Sequence, residues 1–244
     1  MSCGQATPIV ALDVPDAASA RALVGRLGEH CAFYKVGLEL FAAAGPSIVE
    51  WLGGEGKRVF VDLKLHDIPN TVRAAARNVA RHGAALLTVH AAGGVEMIQA
   101  AVAGAREGQG DRASSCDIIG VTILTSADGA SIGRSWGRGP VDVATEVVRL
   151  AGMVREGGGA GIVCSGHEAA VVRRVLGDSL GLLIPGIRLA GGEAHDQRRV
   201  MTPREAADAG ARWLILGRAV TGAPVPVAAM LAIHESLTST DGHP

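Results

Sequence analysis

Residues 59–72 read VFVDLKLHDIPNTV. The stretch begins as an apolar strand, then brings in Asp62, Lys64, His66 and Asp67 before Pro69 breaks the pattern. Side chains alternate along a strand, so Phe60, Asp62 and Lys64 share one face while Val61, Leu63 and Leu65 share the other. The apolar set is expected to pack on helices, leaving two opposite charges at the strand's end. Asn70 is expected to cap the helix that follows Pro69.

The same strand-to-helix junction recurs outward in both directions. Short apolar runs at 9–12, 33–37, 59–64, 85–90, 118–124, 161–164, 182–187 and 213–217 read as strands. Segments of helical period lie between them, among them 17–27, 71–82, 95–107, 141–155 and 168–176. Thr202 followed by Pro203 fits an N-cap and a first helical residue. Near-continuous apolar strands alternating with helices predict a parallel sheet covered on both sides. Eight such units in 244 residues predict a single-domain (β/α)8 barrel over 1–244 rather than a doubly wound sheet. Neither a dinucleotide fingerprint after the first strand nor a P-loop is present; GGEGKR lacks the required spacing and hydroxyl.

Composition narrows the function classes. Hydrophobic residues make up 48% but aromatics only 3%, so the core must be built from aliphatic side chains. With 23 basic and 24 acidic residues, the chain has no electrostatic footprint for nucleic acid, and a phosphate ligand is expected as one group in a pocket. No run approaches the length of a membrane span, and the N-terminus lacks a secretory pattern. Four scattered cysteines (Cys3, Cys31, Cys116, Cys164) read as reduced thiols of a cytoplasmic protein, not as disulfides or zinc ligands.

Barrel chemistry collects at the C-terminal strand ends. The polar residues there are Asp13, Lys35, Asp62, Lys64, His90, Thr125, Ser126, Arg188 and Arg218. Asp62 and Lys64 read either as a structural ion pair or, with Lys35 and Asp67, as an alternating array that forms a preorganised field. Buried ion pairs are poor stabilisers, which favours the array. Acids on both sides favour an ammonium at Lys64, a poor nucleophile but a good proton donor. The loops after strands seven and eight supply glycine amides, Arg188, Gln197 and Arg218 for a phosphate. Arg198 and Arg199 read as surface residues, and His66, His167 and His195 as neutral or solvated ones.

DLKLHDIPNT at 62–71 resembles the signature of the orotidine 5′-phosphate decarboxylases of bacterial type. ALDV at 11–14, KVG at 35–37, TVHAAGG at 88–94, VTILTS at 121–126, PGIR at 185–188, DQRRVMTP at 196–203 and LGRAVT at 216–221 resemble that family in the same order. The resemblance covers essentially the whole chain. It implies decarboxylation of orotidine 5′-phosphate, with no metal and no organic cofactor. Lys64 would protonate C6, and Asp62 would lie beside the departing carboxylate, ordered by Lys35 and Lys64. Asp67 and Thr71 would reach the neighbouring subunit's site in a homodimer with shared active sites. Asp13 and Lys35 would contact the ribose; Thr125 and Ser126 the pyrimidine; Gln197, Gly217 and Arg218 the phosphate, with Arg188 nearby. Ile68 and Pro185 would complete the substrate contacts.

Two positions depart from the pattern: Ile184 stands where a threonine is expected, and Ala127 where a bulky apolar residue is expected. Magnesium-dependent relatives, the 3-keto-gulonate phosphate decarboxylases and hexulose phosphate synthases, share Asp-x-Lys-x-x-Asp; DIPNT, LTS and PGIR favour the orotidylate enzyme. A catalytically silent nucleotide sensor is the other alternative, and the intact Asp62, Lys64, Asp67 and Arg218 argue against it.

Overall fold

The computed structural model describes residues 6–110, 115–189 and 201–238. Eight strands pair in chain order into a closed barrel, every pairing parallel. They are β1 (Thr7–Ala11), β2 (Phe33–Gly37), β3 (Arg58–Leu65), β4 (Leu86–His90), β5 (Asp117–Val121), β6 (Gly161–Val163), β7 (Gly181–Ile184) and β8 (Ala211–Leu216). Around them lie α1 (Ala17–Leu27), α2 (Leu38–Ala44), α3 (Ser47–Gly54), α4 (Pro69–Arg81), α5 (Val95–Gln109) and α6 (Gly129–Ser135). The ring continues with α7 (Val143–Glu156), α8 (Gly166–Leu176), α9 (Pro203–Asp208), α10 (Arg218–Thr221) and α11 (Pro226–Thr238). This is the (β/α)8 barrel that the alternation of elements predicts.

Strand periodicity divides the apolar residues into two layers. Ile9, Ala11, Phe33, Phe60, Trp213 and Ile215 pack inside the barrel. Their neighbours Val10, Leu12, Val59, Val61, Leu214 and Leu216 belong to the larger layer between strands and helices. Each strand is thus buried on both faces, which is why its sequence reads as an apolar run. Burying apolar area at about 25 cal/mol per Å² makes these layers the main source of stability.

Helix starts follow local capping chemistry. Asp16 accepts from the Ser19 amide at 2.7 Å and opens α1 at the expected residue. Thr202 and Glu205 form a reciprocal capping box ahead of Pro203, as the Thr-Pro pair predicts. Asn70 is not a cap: α4 begins at Pro69, preceded by Ile68, and Asn70 lies within its first turn. Proline's fixed φ and missing N–H suit the first helical position, so it sets the start two residues earlier. α8 also starts early, because Ser165 caps it with Glu168 as the box partner.

Strands β5 and β7 end sooner than their apolar runs. After β5, both the amide and the hydroxyl of Thr122 turn to the Val163 carbonyl, the hydroxyl at 2.7 Å. After β7, Pro185 has no N–H for the ladder and Gly186 sits at φ 79. These early endings turn residues 122–125 and 185–188 into the rim of the barrel mouth.

The placement of α4 depends on two glycines of α5. A Cβ at Gly104 or Gly108 would run into the backbone carbonyl of Arg73 or Arg77, so the two helices meet backbone to backbone. Because α4 begins directly after the HDIP turn, this close approach also fixes where that turn stands.

Candidate active site

The C-terminal strand ends surround a cavity of about 460 Å³, a size suited to a small-molecule ligand. Its floor is apolar, formed by inner-layer residues including Phe60, Leu183 and Ile215. Asp13, Lys35, Asp62, Lys64, Thr125, Pro185, Arg188, Gly217 and Arg218 line its wall. Nine residues singled out in the sequence therefore meet in one cavity, brought there from six strand ends.

The charges form a connected chain. Lys35 Nζ lies 2.8 Å from Asp13 and 3.7 Å from Asp62, and Lys64 Nζ donates to both Asp62 oxygens at 2.9 Å. The order is Asp13–Lys35–Asp62–Lys64. Asp67 is not its fourth member within one chain. The Lys35 and Asp62 side chains are only 10% and 13% exposed, so their interaction is weakly screened by solvent. Gly37 is part of this geometry: a Cβ there would stand 2.9 Å from Lys35 Nζ and 3.3 Å from Asp13.

The backbone under Lys64 departs from a plain strand. Val61 pairs with Leu87 and Leu65 with Val89, so four steps along β3 match two along β4. Lys64 takes φ 51 within this surplus and is the non-glycine residue with positive φ among those described. That conformation costs roughly 1–2 kcal/mol and persists only where the surroundings enforce it. Simple alternation correctly directs Asp62 and Lys64 to the mouth but misses this local rearrangement.

Thr88 holds the irregular segment; the sequence places it at the head of TVHAAGG but gives it no role. It is fully buried. Its hydroxyl accepts the Lys64 amide at 2.9 Å and donates to Asp62 Oδ1 at 2.9 Å.

Arg188 supplies a different kind of feature. Its guanidinium is buried, and Nη1 donates to the Ile187 carbonyl at 2.9 Å, while Nε and Nη2 have no partner among the described residues. Burial first, then the neighbouring Arg218 charge, lower its pKa. A buried cation with idle donors beside a second cation is an arrangement that an anion would complete.

The remaining predicted residues lie elsewhere. Ser126 is exposed and outside the cavity lining. Asp67, Ile68 and Thr71 are exposed on the turn into α4; Asp67 accepts from the Ile68 amide at 2.6 Å. His66 is exposed, its ring 5.5 Å from that of His90. Burial, then the His66 and Lys64 charges, lower the His90 pKa, with Asp62 opposing. Gln197, Arg198, Arg199 and His195 lie outside the described residues. Cys31, Cys116 and Cys164 are free and buried. Among the described residues no helix is long and apolar enough to cross a membrane.

A closed parallel barrel with a charged relay and paired guanidiniums at its strand ends defines a (β/α)8-barrel enzyme. Residues 7–233 match the family described as Orotidine 5′-phosphate decarboxylase / HUMPS family. An orotidine 5′-phosphate decarboxylase of Anaeromyxobacter dehalogenans is 49% identical over 93% of this chain and 96% of its own length. One from Moorella thermoacetica is 48% identical over 92% of this chain and 89% of its own. The crystal structure of orotidine 5′-phosphate decarboxylase from Lactobacillus acidophilus superposes with a TM-score of 0.86 at 34% identity, covering 96% of this chain and all of that one. The chain belongs to the orotidine 5′-phosphate decarboxylase family.

Proposed function

We propose that this chain decarboxylates orotidine 5′-phosphate to uridine 5′-phosphate, a step of pyrimidine biosynthesis. The observation that carries the reading is the Asp13–Lys35–Asp62–Lys64 chain in the same cavity as the partly unpartnered Arg188 and its neighbour Arg218. In this reading Arg188, Arg218 and Gly217 hold the phosphate, with Gln197 from the segment outside the described residues. Asp13 and Lys35 hold the ribose, and Thr125 and Ser126 the pyrimidine.

Chemistry then falls to Lys64. When the C6–carboxylate bond breaks, carbon dioxide leaves and the electron pair stays on C6, in the ring plane and away from the π-system. Fixed positive charge must stabilise it, and an ammonium aimed at C6 does so without reorganising. Lys64 then donates its proton to C6 and is reprotonated from solvent. Asp62 holds the ammonium in place and stands beside the substrate carboxylate. Phosphate binding at the far side supplies energy for closure over the reacting carbon.

The active unit in this proposal is a homodimer of the cytoplasm. Asp67, the 67%-exposed Ile68 and Thr71 at the start of α4 are exposed and outside the lining of their own cavity, and each subunit would contribute them to the other's site.

The direct test follows ultraviolet absorbance as purified protein converts orotidine 5′-phosphate to uridine 5′-phosphate, with and without excess EDTA. Turnover unaffected by EDTA is expected. Folded protein without turnover would overturn the reading, and loss of turnover with EDTA would favour a metal-dependent relative. Mixing Lys64→Ala with Asp67→Ala subunits should restore activity in verified heterodimers; no recovery would overturn the shared sites.

A further inference from the structure

We infer that Thr88 is a positioning residue that sets the reach and direction of Lys64, acting through the β3 backbone and through Asp62. It stands in β4 opposite the surplus residues of β3, between the pairs Val61–Leu87 and Leu65–Val89. In a plain parallel ladder the Lys64 amide would find a backbone carbonyl. Here the Thr88 hydroxyl accepts it at 2.9 Å and donates its own hydrogen bond to Asp62 Oδ1, also at 2.9 Å. Asp62 in turn receives Lys64 Nζ on both oxygens.

The result is a closed circuit: Lys64 amide, Thr88 hydroxyl, Asp62 carboxylate, Lys64 ammonium. One hydroxyl engages both ends of the same lysine. It satisfies the amide that the irregular register removes from the ladder, so it supports the φ of 51 at Lys64. It also fixes the rotation of the carboxylate that receives the ammonium. Since Thr88 is fully buried, water cannot take its place. A valine would fill the same volume and leave both the amide and the carboxylate oxygen short of a partner. Thr88 does not line the cavity, so it touches no substrate and its effect falls on the aim of Lys64.

Three variants test this: Thr88→Val removes the hydroxyl and keeps the shape, Thr88→Ser keeps the hydroxyl, and Thr88→Ala replaces the valine variant if that does not fold. Amide hydrogen exchange read by NMR needs no turnover. Exchange at Lys64 should quicken about tenfold or more in Thr88→Val, stay near wild type in Thr88→Ser, and leave Val61 and Leu87 unchanged. The kinetic arm rests on the decarboxylase reading. Thr88→Val should lower kcat about 100-fold, as expected for a misaimed catalytic group, with KM within about threefold and recovery in Thr88→Ser. Unchanged Lys64 exchange with unchanged kcat in Thr88→Val would overturn the inference, as would a serine variant that rescues neither. Wild-type protein without turnover would overturn the decarboxylase reading instead, leaving the exchange measurement to decide the role of Thr88.

Discussion

Lys64 Nζ lies 2.9 Å from each oxygen of Asp62, while the Lys64 backbone stands at φ 51. The charge is therefore held from both the side chain and the main chain, with little freedom to swing away from the cavity.

Replacing that charge should separate binding from chemistry. Lys64→Ala is expected to lower kcat by roughly 10⁴-fold or more, because charge stabilisation and proton donation are lost together. Uridine 5′-phosphate should still bind, since Arg188, Arg218 and Asp13 are untouched. Calorimetric titration beside the ultraviolet assay checks both halves.

Arg188 should show a trade between affinity and stability. Arg188→Met removes a buried cation with two idle nitrogens and keeps an unbranched apolar stem. Ligand-free protein is expected to gain roughly 1 kcal/mol, since an apolar side chain replaces a poorly satisfied buried charge. Affinity for uridine 5′-phosphate should fall about 10- to 100-fold, with no comparable change for uridine. Thermal melts and titrations with both ligands read the two effects.

His90 should contribute a pH dependence to stability. Its folded pKa lies below the ordinary value of 6.5, chiefly through burial. As pH falls below about 6.5 the unfolded chain takes up this proton first, so the contribution is intact above that pH and lost below it. Urea midpoints across pH 5–7.5 should fall on the acid side, and His90→Gln should flatten that fall.

The α4–α5 contact should reverse the usual sign of a glycine-to-alanine change. In an open helical position the change gains up to about 1 kcal/mol, as expected at Gly152 in α7, where an added Cβ meets nothing within 4 Å. At Gly104 or Gly108 the methyl strikes a carbonyl of α4, and a net loss of about 1–3 kcal/mol is expected. Denaturant unfolding of the three variants side by side checks the reversal.

The barrel and most of the cavity wall were legible because each depends on local pattern. Apolar runs separated by helical segments define the strands, and polar residues at their ends define the rim. Asp62 and Lys64 followed from alternation alone. What escaped depends on non-local partners. Thr88 sits in LLTVH, where threonine reads as an ordinary strand former; only the register of β3 against β4 reveals its hydroxyl as a bridge. The idle nitrogens of Arg188 require knowing what is absent around them. Asn70 gave way to Pro69 because two capping signals stood side by side and the proline fixed the backbone. The exposed Asp67 and Thr71 show how a motif contiguous in sequence divides between the cavity and the surface.

The surplus in β3 has a consequence for how this chain tolerates inherited change. Side-chain direction along a strand has a period of two, so removing one residue between Val61 and Leu65 would reverse every side chain beyond the cut or break the pairing with Val89. Substitutions in the packed layers erode stability by degrees, whereas a single-codon deletion here would turn the lysine toward the helices in an otherwise foldable barrel. The length of this segment is thus constrained more tightly than much of its composition. Descendants of this chain should vary readily in loop length around the barrel and scarcely at all between these two residues.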